Sequence, residues 1–282
     1  DGTGGTQNSP SGIFSQTLSS TGNAAQVSVA AQDLTVTNGG AIAISSGVAG
    51  AAGQVLVNAA NLTVSTSGVI FSNAFSSGNA GSVAVNAGTL DIVSSGSIAS
   101  TALAGGNAGS VAVNVSGTLQ VDGTGASEMF PSGIFALALA GSTGNAGPVD
   151  VTADTLDVVN DHAAVSTTTF GAGAAGKVTV AANNLSVTAG GAISSQTFSA
   201  ANAGEVDVVA GDLSIDGGSI ATSTFDAGNA GRVAITATRL SMTGDGTIAT
   251  STFGPGAGGD IAVAAGGDIV LSGEGPQITA SA

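Results

Sequence analysis

A four-residue pattern, Gly-Asn-Ala-Gly, returns about every 28 residues and is followed one residue later by alternating β-branched residues. Nine copies, intact or degenerate, begin at residues 22, 50, 78, 106, 144, 173, 201, 228 and 256. A fixed period of roughly 20–50 residues is typical of proteins in which each unit buries its apolar face only against its neighbours. The repeat therefore predicts a stacked rod, although 282 residues would otherwise suggest one or two globular domains.

The unit that begins at Gly78 shows how one coil is expected to fold. Segments 82–86 and 89–92 alternate apolar and polar residues, and a turn at Ser95-Gly96 leads to a third short segment at 97–100. Short period-two segments bounded by glycine predict strands, and helix signals are missing. We therefore predict an all-β fold, a right-handed, three-sided parallel β-helix of about nine to ten coils spaced about 4.8 Å apart.

Equivalent residues of successive coils are expected to stack in columns. The sequence predicts a Val column starting at Val27, a Leu column starting at Leu34 and an Ile column that includes Ile42. A further aromatic column contains Phe75, Leu103, Phe170, Phe198, Phe225 and Phe253. The sequence leaves open which side this column faces, and the same holds for the hydroxyl rows 167–169, 195–197, 222–224 and 250–252. Outward hydroxyl rows would order water, as an ice-binding surface does.

Asparagine and glycine are expected to serve the turns. Asn79, Asn107, Asn145, Asn202 and Asn229 occupy the second tetrad position, where we predict left-handed backbone and hydrogen bonds along the rod. A second run is formed by Asn58, Asn86 and Asn114. The pairs Gly39-Gly40, Gly190-Gly191, Gly217-Gly218 and Asp245-Gly246 share one turn position, where we predict a positive φ.

One domain is expected over residues 1–282, with two interruptions of the repeat. We divide it into a partial coil with a loop (1–21), regular coils (22–125), an insertion and coil end (126–143) and regular coils (144–282). Residues 1–4 and 10–14 recur 121 positions later, which places a similar loop at 5–9. Insertions often carry binding, so Glu128, Met129, Phe130 and Pro131 form a candidate interaction loop.

The charge balance excludes two classes of partner. The net charge is −15, and the basic residues are Lys177, Arg232 and Arg239. A nucleic-acid partner needs many Lys and Arg side chains to neutralise phosphates, and an anionic membrane surface needs them too. No run of about 18 apolar residues is present, so the sequence predicts no transmembrane helix. The chain contains no Cys, so we expect stacking rather than disulfides to stabilise it.

Six of the charged residues fall into register. Lys177, Glu205, Arg232 and Asp260 share one position in four successive coils, with alternating sign, and Asp212 and Arg239 form a second neighbouring pair. We interpret both as structural ladders, because opposite charges on neighbouring strands stabilise their register. These ladders use every basic residue in the chain.

Few residues are candidates for catalysis or metal binding. His162 is the single histidine, in a turn beside Asp161, and we interpret it as a solvated turn residue rather than a general base or metal ligand. Two carboxylate pairs, Asp150 with Asp207 and Asp91 with Asp157, share columns but lie two coils apart. We therefore expect no enzymatic activity and no required cofactor. Calcium at scattered aspartates stays an alternative, although the Gly-Gly-x-Gly-x-Asp motif is missing.

Three motifs of the unit at Gly228 carry a resemblance to a known family. They are Gly228-Asn229-Ala230-Gly231-x-Val233-x-Ile235, Leu240-x-Met242 and Gly246-x-Ile248-x-x-Ser251-Thr252-Phe253. Such units, over about residues 22–282, resemble those of the filamentous haemagglutinin family, the exoproteins of two-partner secretion systems. The resemblance implies a right-handed β-helix, export through an outer-membrane partner, and adhesion or aggregation. The secretion domain of such proteins is not recognisable, so we expect an internal segment.

Two functions fit these expectations. The first is the non-enzymatic shaft of a secreted or bacterial cell-surface adhesin that contacts a cell-surface or matrix glycan or protein. The second is a subunit of an extracellular fibre that self-associates by end-to-end stacking, since open β-helix ends expose unpaired strand groups. Neither needs nucleic acid or insertion into a membrane.

Overall fold

The computed structural model describes residues 11–17, 22–47 and 49–282, which form a β-solenoid of about nine turns without a helix. All strand pairs between coils are parallel and join each strand to its equivalent about 28 residues away. The predicted fold class is therefore confirmed. The loop expected at 5–9 lies outside the described residues. The right-handed winding stays a prediction from the handedness of parallel crossovers.

The strands belong to two sheets. The ten-stranded sheet contains β1 (Gly12–Thr17), β3 (Ala41–Ser46), β5 (Val69–Ala74), β7 (Ser97–Ala102), β10 (Ser132–Ala138), β12 (Ala163–Thr169), β14 (Ala192–Thr197), β16 (Ser219–Thr224), β18 (Thr247–Thr252) and β21 (Gln277–Ser281). The eleven-stranded sheet contains β2 (Val27–Val36), β4 (Val55–Ser65), β6 (Val83–Val93), β8 (Val111–Val115), β9 (Thr118–Asp122), β11 (Val149–Val159), β13 (Val178–Thr188), β15 (Val206–Asp216), β17 (Val233–Thr243), β19 (Ile261–Ala265) and β20 (Ile269–Leu271).

The first two segments of most coils form one continuous strand, where the sequence predicted two. In β6 the buried residues are Val83, Val85 and Ala87, and then Leu90 and Ile92. Leu90 follows Ala87 by three positions, which breaks the period of two. The backbone therefore turns a corner without leaving the sheet. The long sheet thus supplies two faces of the rod and the other sheet the third.

The core is made of the predicted columns. Val27 pairs with Val55 and Leu34 with Leu62, and the same register continues to Ile261 and Ile269. The Ile column is longer than predicted, because Ile13, Ile70, Ile134, Val165 and Ile278 also belong to it. Fully burying one such side chain contributes about 1.5–3 kcal/mol, so each added coil strengthens the stack.

The tetrad is explained by close approach between coils. A Cβ at Gly81 would lie 1.8 Å from the carbonyl oxygen of Gly53, and one at Gly78 would lie 2.1 Å from that of Gly50. Ala80, between them, is buried. The prediction of left-handed backbone at the tetrad asparagines is wrong, since Asn38 and Asn160 are the described asparagines with positive φ.

The tetrad asparagines still bond along the rod, but to the main chain. The side-chain oxygens of Asn79, Asn107 and Asn145 accept hydrogen bonds from backbone N–H groups of the next coil at 2.8–2.9 Å. Asn202 and Asn229 do the same. The second run, by contrast, forms the expected amide ladder: the Nδ2 atoms of Asn86 and Asn114 donate to the Oδ1 atoms of the preceding asparagines, at 2.9 and 3.1 Å.

The turn glycines have two different roles. Positive φ occurs at Gly39, Gly190 and Gly217, as predicted, but at Gly244 rather than at Asp245-Gly246. Gly40, Gly191 and Gly218, the second glycines of these pairs, have no positive φ. At Gly191 a Cβ would lie 2.2 Å from the carbonyl oxygen of Val158, so this position needs glycine for space.

The coil that begins at Gly106 is 38 residues long, and its ten extra residues are divided among three corners. The strand registers put one extra residue between β8 and β9, seven between β9 and β10, and two in the turn after Ala138. All three additions lie between strands, so no column is interrupted.

The hydroxyl rows point into the rod. Thr167, Thr222 and Thr250 have no exposed surface, and their hydroxyls donate at 2.7 Å to the carbonyl oxygens of the last tetrad glycine of the following coil. The ice-binding interpretation of these rows is therefore wrong. The bonds instead tie the third strand of one coil to the start of the next.

Candidate interaction surfaces

The segment 123–131, here called the insertion loop, projects from the corner between β9 and β10, and hydrogen bonds hold its base in place. The Oδ1 atom of Asp122 accepts hydrogen bonds from the Thr124 N–H and the Asn160 amide, both at 2.8 Å. Partial burial raises the pKa of Asp122, but the hydrogen bonds from Asn160 and Thr124 together outweigh it, so the pKa lies below its usual value of 3.8. The loop is thus fixed to the next coil.

The tip of the insertion loop is a tight turn with apolar side chains. Ser127 and Phe130 exchange backbone hydrogen bonds of 3.0 and 3.2 Å. Met129 is 80 % exposed and Phe130 is 61 % exposed, while Glu128 is exposed and Pro131 half-buried. Three of the four residues expected to form a candidate loop, Glu128, Met129 and Phe130, are therefore presented to solvent on this turn.

His162 lies beneath the base of the insertion loop. Its side chain is exposed, its φ is 68°, and its carbonyl oxygen accepts a hydrogen bond from the Ser132 N–H at 3.0 Å. Within the described ranges, no hydrogen bond or ion pair involves its imidazole. The residue thus contributes through its main chain, by supporting the first residue of β10.

The larger charge ladder is centred on Asp207, which the sequence predicted as part of a carboxylate pair and not of the ladder. Backbone bonds confirm that Lys177, Glu205, Arg232 and Asp260 share one position in successive coils. The strongest partner, however, is Asp207, which contacts the Nζ atom of Lys177 and lies 3.5 Å from Arg232. Lys177 is 3.7 Å from Glu205, whereas no ion pair joins Arg232 to Glu205 or to Asp260 among the described residues.

The reason is the position of Asp207. It lies two residues after Glu205 on the same outer face, so it faces both the preceding and the following coil. The hydrogen bond to Asp207, followed by attraction to Asp207 and Glu205, raises the pKa of Lys177. The predicted alternating ladder is therefore wrong beyond its first pair.

The second predicted pair is confirmed. The Nε and Nη2 atoms of Arg239 donate to the two carboxylate oxygens of Asp212 at 2.7 and 2.6 Å. The hydrogen bond from Arg239 lowers the pKa of Asp212. Both side chains are exposed and border a shallow trough of about 400 Å³ that also contains Asp157 and Ser214. An exposed pair of this kind contributes little to stability, because solvent screens it.

The carboxylate pairs are separated as expected. Gln120 lies between Asp91 and Asp157 in the column, and Thr179 lies between Asp150 and Asp207. Two coil steps separate each pair by about 10 Å of backbone. Burial raises the pKa of Asp157. No three His, Asp or Glu side chains come together as a possible metal site within 11–17, 22–47 and 49–282.

A row of stacked aromatic rings lies on the outside of the rod. We call Phe170, Phe198, Phe225 and Phe253 the Phe ridge. Neighbouring ring centroids are 4.8, 4.4 and 4.9 Å apart with interplanar angles of 10°, 2° and 7°. The four residues are 46, 43, 42 and 69 % exposed. The sequence left open which side the aromatic column faces. In the structure, the rings of the Phe ridge face solvent.

Comparisons with protein-family models, with curated proteins and with solved structures each found no match. In the described part of the chain, no helix is long and apolar enough to cross a membrane. The surfaces above therefore have to be interpreted from their own geometry.

Proposed function

We propose that the chain is a non-enzymatic shaft of a secreted or surface-exposed bacterial adhesin, and that the insertion loop is its adhesive contact. One observation carries the proposal. The coils stack uniformly, and from this stack one described loop projects, with a base held by hydrogen bonds and an apolar tip. Met129 is the most exposed large apolar side chain among the described residues. Exposed apolar and aromatic side chains are the usual anchors of protein contacts.

The fold is consistent with a scaffold role for the rest of the chain, which holds the insertion loop. Parallel pairing repeats from coil to coil through both sheets, so the rod places the loop at a fixed position. The resemblance to filamentous haemagglutinin repeats supports the same function and adds export by an outer-membrane partner. The proposal requires no cofactor.

The test is adhesion of beads that carry the purified protein to cells and to immobilised matrix proteins and glycans. The variant Met129→Ser/Phe130→Ser should lower bead retention at least about tenfold, because loss of a central anchor costs about 2 kcal/mol or more. Phe75→Ser is the matched control, since Phe75 is 51 % exposed but lies away from the loop. Equal retention of the loop variant and the wild type would contradict the proposal.

A further inference from the structure

We propose that the Phe ridge is a contact surface for a second copy of this chain, so that two rods associate side by side. This association differs from the end-to-end stacking of a fibre and does not depend on the adhesive role of the insertion loop.

The ridge is a contiguous apolar strip on the surface of an acidic chain. With exposures of 42–69 % and about 200 Å² for each ring, the four residues present about 400 Å² of aromatic surface. Contiguous exposed apolar patches of this size often mark an interaction site. The register of the strip is fixed by backbone, because the N–H groups of Phe198, Phe225 and Phe253 each bond to the preceding coil at 2.9 Å.

The spacing of the rings decides how a partner can approach. Centroids 4.4–4.9 Å apart leave no room for another ring to insert between two members of the stack. A partner must therefore contact the ring edges from the side. The turn residues that follow the rings permit this, because 171–173, 199–201, 226–228 and 254–256 contain Gly, Ala, Ser and Pro with Asp226 as their one charged residue.

The period of the ridge favours a second copy over another partner. The basic residues of the chain are all paired with acids on the eleven-stranded sheet side, so the contact depends on apolar edges and not on ion pairs. Its apolar edges repeat once per coil, and a second copy supplies a strip with the same repeat. Two identical strips related by a two-fold axis form a self-complementary contact.

The area predicts a weak and reversible dimer. Two ridges would bury about 800 Å² in total from their rings, below the about 1,200–2,000 Å² of stable interfaces. Each chain carries a net charge of −15, so repulsion opposes the contact and salt screens that repulsion. We therefore expect association to increase with ionic strength.

The test is sedimentation equilibrium over a range of protein concentrations, at about 0.05 M and about 0.5 M NaCl. The wild type should dimerise more tightly at high salt, and small-angle scattering should show a wider particle that is much shorter than two rods placed end to end. Phe198→Ser/Phe225→Ser should weaken dimerisation at least about tenfold, whereas Phe198→Leu/Phe225→Leu should keep most of it. Phe130→Ser is the matched control, since Phe130 is 61 % exposed but lies on the insertion loop.

A wild type that stays monomeric at both salt concentrations would overturn the proposal, as would a particle as long as two rods end to end or an equal loss in Phe130→Ser. A further measurement avoids altering the rings. The chain has no Cys, so single Ala227→Cys and Ser214→Cys variants report position directly; both sites are exposed, and only Ala227 lies beside the ridge. A short bismaleimide linker should join pairs of the first and not of the second, and the reverse result would contradict the contact.

The outcome is separable from that of the adhesion test. Loop variants should lose cell binding and keep dimerisation, and ridge variants should do the opposite.

Discussion

The coil that begins at Gly78 and the coil that begins at Gly106 differ by ten residues in length, but their inward positions stay in register even where the residue differs, as at Ala87 and Val115. Leu90 pairs with Leu119, and Ile98 pairs with Ile134 across the insertion loop. The added residues all lie at corners between strands. Inward columns and close backbone contacts therefore determine the register, whereas the corners accept extra residues.

The largest expected effect tests the close backbone contacts. A Cβ at Gly106 would lie 1.9 Å from the carbonyl oxygen of Gly78, whereas at the adjacent Gly105 the nearest atom would be 3.6 Å away. Gly106→Ala should therefore lower the free energy of unfolding by about 4 kcal/mol or more, because neighbouring coils must separate. Gly105→Ala, the matched control, should change it by less than about 1 kcal/mol. Urea unfolding measures both, and equal effects would show that the tetrad does not restrict coil spacing.

A smaller effect compares the two coils directly. Leu90 and Leu119 are both fully buried, so Leu90→Ala and Leu119→Ala should each lower the free energy of unfolding by about 2–5 kcal/mol. The two losses should agree within about 1 kcal/mol if the insertion leaves the core intact. Calorimetric melting measures them. A much smaller loss for Leu119→Ala would mean that the insertion has loosened its own coil.

The smallest effect concerns the base of the insertion loop. Because the pKa of Asp122 is lowered in the folded protein, its carboxylate stabilises the fold above the usual value of 3.8, and this contribution is lost as the pH falls through the folded pKa. Asp122→Asn should therefore lower stability at pH 7 by about 0.5 kcal/mol or less, with the difference shrinking toward zero below that pKa. Urea unfolding of the wild type and the variant, at pH 7 and at a pH below the folded pKa of Asp122, checks the sign of the difference. A difference that grows in acid would contradict the assignment.

Much of the fold could be predicted from the repeat. Period-two segments such as 82–86 indicated strands, and the 28-residue spacing indicated which of them pair. The merging of the first two segments could not be predicted, because a corner inside a continuous strand changes only the spacing from Ala87 to Leu90. The tetrad asparagines were misread because their side chains bond to backbone, which sequence spacing does not reveal.

The surfaces were harder to predict than the core. The spacing from Thr252 to Phe253 already implied opposite sides, but choosing inside or outside required the packing of the threonine hydroxyls against glycine carbonyls. Asp207 could not be predicted as the centre of the ion cluster from the column of Lys177 and Glu205, because it lies two residues further along the strand. The insertion loop was found because it breaks the period.

Amide hydrogen exchange resolved along the chain tests most directly whether the stack continues in register through the coil that begins at Gly106. We expect slow exchange in β8 (Val111–Val115), β9 (Thr118–Asp122) and β10 (Ser132–Ala138), at the level of β6 (Val83–Val93), with fast exchange confined to the loop tip at 127–130. Fast exchange throughout 111–138, at a level unlike that of the flanking coils, would contradict the account.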